Sequence, residues 1–242
     1  IANTTADNNT AVGNFTLVSN TTGSTNVAVG ANALDANTTG SSNVAMGKDS
    51  LGANTTASSN VAVGHDSLKT NTTGSRNAAF GAYALSLFNS GASNNTHNVG
   101  VGYAAGYNLT TGTENTAVGA YTLYSSTTSN ENTAIGYYAL TSNTTGTDNV
   151  AVGYQALDAS TTVDAQTAVG YQALTASTSG TKNNAFGFKA LNVNTTGGEN
   201  LAVGCHSLIA NTTGSYNVAV GHNSLFKNVS TRKNTAVGTE AL

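Results

Sequence analysis

The sequence predicts an all-β fold, a parallel β-solenoid or β-roll of fourteen 17-residue coils, and three observations carry this expectation. A glycine closes a recurring tetrapeptide at Gly13, Gly30, Gly47, Gly64, Gly81, Gly102, Gly119, Gly136, Gly153, Gly170, Gly187, Gly204, Gly221 and Gly238, every interval being 17 except one of 21. The residues before it alternate small and apolar, as in Asn149-Val150-Ala151-Val152, and that period of two belongs to a strand and not to a helix. The remainder of the unit reads Asn-Thr-Thr-Gly-Ser or a near variant, as at Asn37 to Ser41, a cluster of turn formers.

Each position of the unit has its own chemistry. Four before the glycine stands Asn in thirteen of fourteen copies, with Gln166 the exception. Stacked amides there can hydrogen-bond from coil to coil, each side chain offering donor and acceptor to its neighbours. Two before the glycine stands Ala in thirteen copies and Gly100 in the other, so nothing larger than a methyl is used. The residue immediately before is always apolar, mostly Val, with Met46, Phe80, Ile135 and Phe186 as variants. After the glycine come two variable residues, a small residue, and Leu in thirteen copies, Gly106 being the exception. The unit is thus expected to run strand, bend, short strand, turn.

If each unit is one coil, equivalent residues stack at about 4.8 Å and the thirteen intervals make a rod roughly 60 Å long. The Val before the glycine and the Leu four after it are expected to fill the interior. Asn, Ala and Gly on the other strand face then make a smooth outward strip that a second copy can approach, which predicts a homo-oligomer, with three parallel chains preferred. Residues 1–242 read as a single repeat domain. Its one irregularity is a loop at about 86–98, where four residues are inserted and Leu87, Phe88, Tyr107 and Leu109 add apolar groups.

Only 8% of residues are charged, against about 25% in ordinary soluble proteins. The net charge of −3 forms no block of either sign, so nucleic acid is not an expected partner. No run approaches the roughly 20 apolar residues of a membrane span, and membrane insertion of this segment is not expected. With Cys205 as the one cysteine, neither an internal disulfide nor a cysteine-based metal cluster can form. Starting at Ile1 without a signal-like stretch, the chain reads as a segment of a longer protein.

No catalytic, cofactor-binding or metal site is expected. His65, His97, His206 and His222 stand in different coils without carboxylates at metal-ligand spacing in the sequence. No nucleophile, base and acid set is distinguishable among the many hydroxyls, so an enzyme is not expected. Tyr137, Tyr154, Tyr171 and Phe188 follow the glycine in consecutive coils and predict an aromatic ladder, either a glycan-binding strip or a brace between coils. Sequons at Asn20, Asn37, Asn54, Asn71, Asn143, Asn194, Asn211 and Asn228, with more at Asn3, Asn8, Asn14, Asn94 and Asn108, are candidate N-glycosylation sites if their turns are exposed. The alternative is that turn-forming composition produces them by accident. Adjacent Thr columns eight and nine after the glycine, as at Thr38 and Thr39, leave an ice-binding solenoid as a minor alternative.

The motif Asn-[Val/Thr]-Ala-[Val/Ile]-Gly-x-x-[Ala/Ser]-Leu, seen from Asn149 to Leu157 and from Asn132 to Leu140, resembles the YadA-like head repeat of trimeric autotransporter adhesins. It is also similar to repeats of phage and large-virus tail fibres. The resemblance covers essentially the whole chain, although the unit here is longer by its Asn-Thr-Thr-Gly insert. It implies a left-handed parallel β-roll, three chains associated along their length, and an adhesive role on a cell or virion surface. The expected function is therefore a structural fibre segment, an extracellular adhesin head or shaft or a viral tail-fibre shaft, meeting surface glycans or a host receptor. The alternative is a subunit of a self-assembling, glycosylated extracellular filament that continues end to end.

Overall fold

The computed structural model describes residues 5–91 and 95–242. The chain is an all-β parallel solenoid whose coils each contribute one three-residue strand: β1 (Thr10–Val12), β2 (Val27–Val29), β3 (Val44–Met46), β4 (Val61–Val63), β5 (Ala78–Phe80), β6 (Val99–Val101), β7 (Thr116–Val118), β8 (Thr133–Ile135), β9 (Val150–Val152), β10 (Thr167–Val169), β11 (Asn184–Phe186), β12 (Leu201–Val203), β13 (Val218–Val220) and β14 (Thr235–Val237). There is no helix among the described residues.

The repeat runs through two compact units. One comprises Ile1–Tyr121 with Ser125–Thr128 and carries β1 to β7; the other comprises Thr122–Tyr124 with Ser129–Leu242 and carries β8 to β14. Within each, strands pair in parallel and in chain order. In the first, Val27, Ala28 and Val29 face Val44, Ala45 and Met46. In the second, Val150, Ala151 and Val152 face Thr167, Ala168 and Val169. The 17-residue sequence repeat is thus the register of the sheet, and like side chains stack on like.

The strand faces are the reverse of the sequence expectation. The Ala column is the buried one: Ala28, Ala45, Ala62 and Ala151 are all at 0% exposure. The residue before the glycine points outward, and Met46, Phe80, Ile135 and Phe186 are 39 to 43% exposed. The reason is the narrowness of the coil. Leu34, Leu51, Leu68 and their equivalents fill the interior from the opposite wall, and the space they leave at the strand is about one methyl wide. Beside Leu85 it is narrower still, since a Cβ placed on Gly100 would lie 2.9 Å from Leu85 Cγ.

The second short strand does not form. Residues after the glycine run as turns, with left-handed φ at Asn32 (55°), Leu34 (52°) and Ser42 (60°) in one coil and at equivalent positions throughout. A bulky residue is rare in that region. Here it serves a corner: with Leu34 in the left-handed conformation, consecutive Ala33 and Leu34 both lie inside, which a pleated strand would forbid. The corner is held across coils, Leu34 N–H donating to Ser50 O (3.1 Å) and Thr38 N–H to Thr55 O (2.9 Å).

Two asparagine ladders hydrogen-bond much of the polar interior, though Gln166 Oε1 and Asn211 Oδ1 are left without a partner. In the expected one, four before the glycine, Asn26 Oδ1 accepts from the Asn43 N–H (2.9 Å) and from Asn43 Nδ2 (3.2 Å). Asn43 Nδ2 also donates to Ala57 O (2.9 Å). The second ladder, seven after the glycine, joins Asn37 Nδ2 to Asn20 Oδ1 and Asn54 Nδ2 to Asn37 Oδ1, both at 2.8 Å. Asn20, Asn37, Asn54, Asn71, Asn143, Asn194 and Asn211 each also donate to a carbonyl three residues on, as Asn54 does to Ala57 O (3.1 Å). Asn54→Ala is expected to cost about 1–3 kcal/mol, since it strands buried polar groups. The check is a lower urea midpoint for the variant, against an unchanged one for Thr56→Ala on the exposed turn.

The irregular coil shows compensated packing. Phe88 and Leu109 occupy the positions where other coils carry the second-ladder Asn, and both are buried. Leu85 takes the room left by Gly100 and by Gly106, where a Cβ would lie 2.7 Å from Leu85 Cδ2. The two exceptions in the sequence pattern are thus one adjustment around Leu85. Part of the expected loop, residues 92–94, lies outside the described residues. A similar exchange surrounds Gln166, whose Nε2 reaches Ser177 Oγ (3.1 Å) where a shorter Ser replaces the second-ladder Asn.

Candidate functional site

The outward strand face is an open surface that repeats on every coil. Two columns stand on it, the residue three before the glycine and the residue one before, as Val44 and Met46 or Val61 and Val63. Across the fourteen copies neither column contains Asp, Glu, Lys or Arg. Each unit therefore presents a largely apolar sheet face, mostly Val and Thr with occasional Ala, Leu, Ile, Met, Phe or Asn residues, half-buried to exposed, with no gatekeeping charge. Proteins that stay monomeric rarely leave such a surface open. The smooth outward strip of Asn and Ala expected from the sequence does not exist, since both columns are interior.

The aromatic ladder forms in the second unit. Tyr137 and Tyr154 stack with ring centroids 6.0 Å apart at 21°, Tyr154 and Tyr171 at 5.1 Å and 9°, and Tyr171 and Phe188 at 5.2 Å and 10°. All four side chains are exposed, but their faces are taken. Each inner ring lies between two others, Tyr138 stands edge-on to Tyr137 (4.2 Å), and His206 stands edge-on to Phe188 (5.3 Å). The stacked rings link successive coils. His206 and His222, in neighbouring coils, meet at 6.3 Å.

The first unit has an aromatic group that the sequence reading missed. Tyr83 meets His65 (5.2 Å), Tyr103 (5.7 Å) and Tyr107 (6.2 Å), and Tyr103 meets Tyr121 (5.4 Å), all edge-to-face. These rings sit at different places in the unit, one, two or five after the glycine, so no single column of the sequence shows them.

Coil stacking also gathers charge. Asp49, His65 and Asp66 bring one ligand atom each within 4.8 Å of one another, contrary to the expectation that the histidines lack carboxylate neighbours. Lysines already answer these carboxylates: Lys69 Nζ is 3.1 Å from Asp66 and 3.8 Å from Asp49, and Lys48 Nζ is 3.3 Å from Asp49. The Asn32 amide hydrogen bond, aided by Lys48, holds the Asp49 carboxyl below its usual range. The hydrogen bond to Asp66 raises Lys69. Burial pushes Asp35, which lines the same shallow depression, upward.

The sequon expectation is corrected at its main sites. Asn20, Asn37, Asn54, Asn71, Asn143, Asn194 and Asn211 are buried, and their amide nitrogens donate to carbonyls inside the coil, as Asn143 does to Gly146 O (3.1 Å) and Asn211 to Gly214 O (3.0 Å). A glycan on such a nitrogen has no room in the folded coil. Asn228 is half-buried, with Nδ2 shielded from solvent. Asn8 and Asn14 are exposed and Asn108 half-buried, while Asn3 and Asn94 lie outside the described residues. The first Thr column is likewise occupied internally, Thr38 Oγ1 donating to Thr55 O (3.0 Å) and Thr195 Oγ1 to Thr212 O (3.0 Å), which removes those hydroxyls from an ice-facing array.

Among the described residues no helix is long and apolar enough to cross a membrane. Comparisons with protein-family models, with curated proteins and with solved structures find no match to this chain.

Proposed function

We propose that the protein is a structural, non-catalytic segment of an extracellular or virion-surface fibre, and that copies of the chain associate side by side through their outward Val faces. The observation that supports this most is the uncharged, largely apolar face repeated on every coil. A second copy suits it well: its coils have the same 17-residue register, so side-chain columns can mesh over many coils where an unrelated surface would fall out of step. Three parallel chains, the arrangement implied by the resemblance to trimeric adhesin heads, would close such a face into a common core. Attachment to a surface glycan or receptor then belongs to the sides that remain exposed.

Sedimentation equilibrium tests the reading in solution. The chain is expected to sediment as an oligomer, and the triple variant Met46→Lys, Phe80→Lys, Phe186→Lys to sediment near the 24.1 kDa of one chain with its circular dichroism retained. A monomeric parent at its highest soluble concentration would contradict the proposal.

A further inference from the structure

We propose that Tyr154 and Tyr171 form an oxidative cross-linking site, a dityrosine staple between adjacent coils of one chain. Three observations place it there. The rings are the closest and most nearly parallel tyrosine pair in the ladder, 5.1 Å apart at 9°. Both are exposed, so an external oxidant can reach them. They occupy equivalent positions of adjacent coils, which the Gln172 N–H holds together by donating to Tyr154 O (2.9 Å). Tyr137 and Tyr154 are wider and more tilted, and Tyr137 and Tyr138, though 4.2 Å apart, cross at 70°. Phe188 ends the series with a ring that has no phenol to oxidise.

The chemistry balances with a peroxide as oxidant and a haem peroxidase as catalyst, both external to the chain. Each phenol loses one electron and one proton to give a tyrosyl radical. The two radicals couple through carbons ortho to oxygen, and loss of the ring hydrogens to the phenolate oxygens restores both aromatic rings. One carbon–carbon bond forms, and the two electrons and two protons reduce one hydrogen peroxide to two waters. The edge-to-face rings of the first unit, Tyr83 with Tyr103 (5.7 Å, 80°) and with Tyr107 (6.2 Å, 72°), are farther apart and steeply crossed, and are expected to couple less.

The experiment treats the folded chain with horseradish peroxidase and hydrogen peroxide, then digests it with a protease cutting at aspartate. Asp158 and Asp164 lie between the two tyrosines, so the staple appears as a joined peptide pair two hydrogens lighter than its parts. That pair is expected to be the dominant dityrosine product and to be lost in Tyr171→Phe, while Tyr103→Phe leaves it unchanged. Dityrosine spread evenly over the tyrosines, joining different chains, or absent from a chain that remains folded would each overturn the proposal.

Discussion

Gly64→Ala is expected to abolish cooperative folding of the coils around it, at a cost above about 4 kcal/mol, the range reserved for a specific steric failure. Two effects add. Gly64 has φ of +135°, a region that side-chain-bearing residues scarcely enter, costing about 1–3 kcal/mol by itself. A Cβ there would also lie 2.5 Å from both the carbonyl carbon and oxygen of Gly81 in the next coil. Backbone cannot swing aside as a side chain can, and displacing it breaks the parallel pairing of Val61 to Val63 with Ala78 to Phe80. Because each coil of a solenoid is stabilised by its neighbours, the damage spreads to both sides. Urea unfolding followed by circular dichroism reads the effect. Gly91→Asn is the control: its site is open for 4 Å, its φ is 71°, and Asn tolerates that region best.

Ala151→Leu is the second large expected effect. Ala151 is wholly buried, pressed between the Ala residues of adjacent strands with the leucine wall opposite. Three added carbons must force the coil open, and overpacking of this kind costs about 1–3 kcal/mol or more. Its neighbour Val152 points outward, so Val152→Leu is expected to change the urea midpoint little. The pair reads the inversion of the strand directly. A greater loss from Val152→Leu than from Ala151→Leu would mean that the Val column is the interior one.

That inversion also marks where the sequence stops being legible. Period-two alternation identifies a strand and separates its faces, but it is symmetric under exchange of those faces. Hydrophobicity then favours Val over Ala for the interior, and Val is the wrong choice here because the width of the coil decides. That width follows from the left-handed Leu corner, a conformation that no propensity assigns to leucine. The Leu column and the ladder from Asn26 onward were legible because each is nearly invariant at one position of the unit. The second ladder was available by the same logic, as Asn37, Asn54 and Asn71 recur at the same spacing, but Asn-Thr-Thr-Gly reads as an exposed turn and conceals a buried amide. The Asp49, His65 and Asp66 cluster and the Tyr83 group arise from residues of different coils and different positions in the unit, and only the stacked structure brings them together.

The central claim is that copies of this chain meet through the outward Val columns, and cryo-electron microscopy of the intact assembly tests it most directly. The expected map shows two or more parallel chains with Val29, Met46, Val63 and Phe80 enclosed between them and with Tyr154 and Tyr171 facing solvent. Isolated chains, or chains joined through the tyrosine ladder with the Val columns in water, would contradict it.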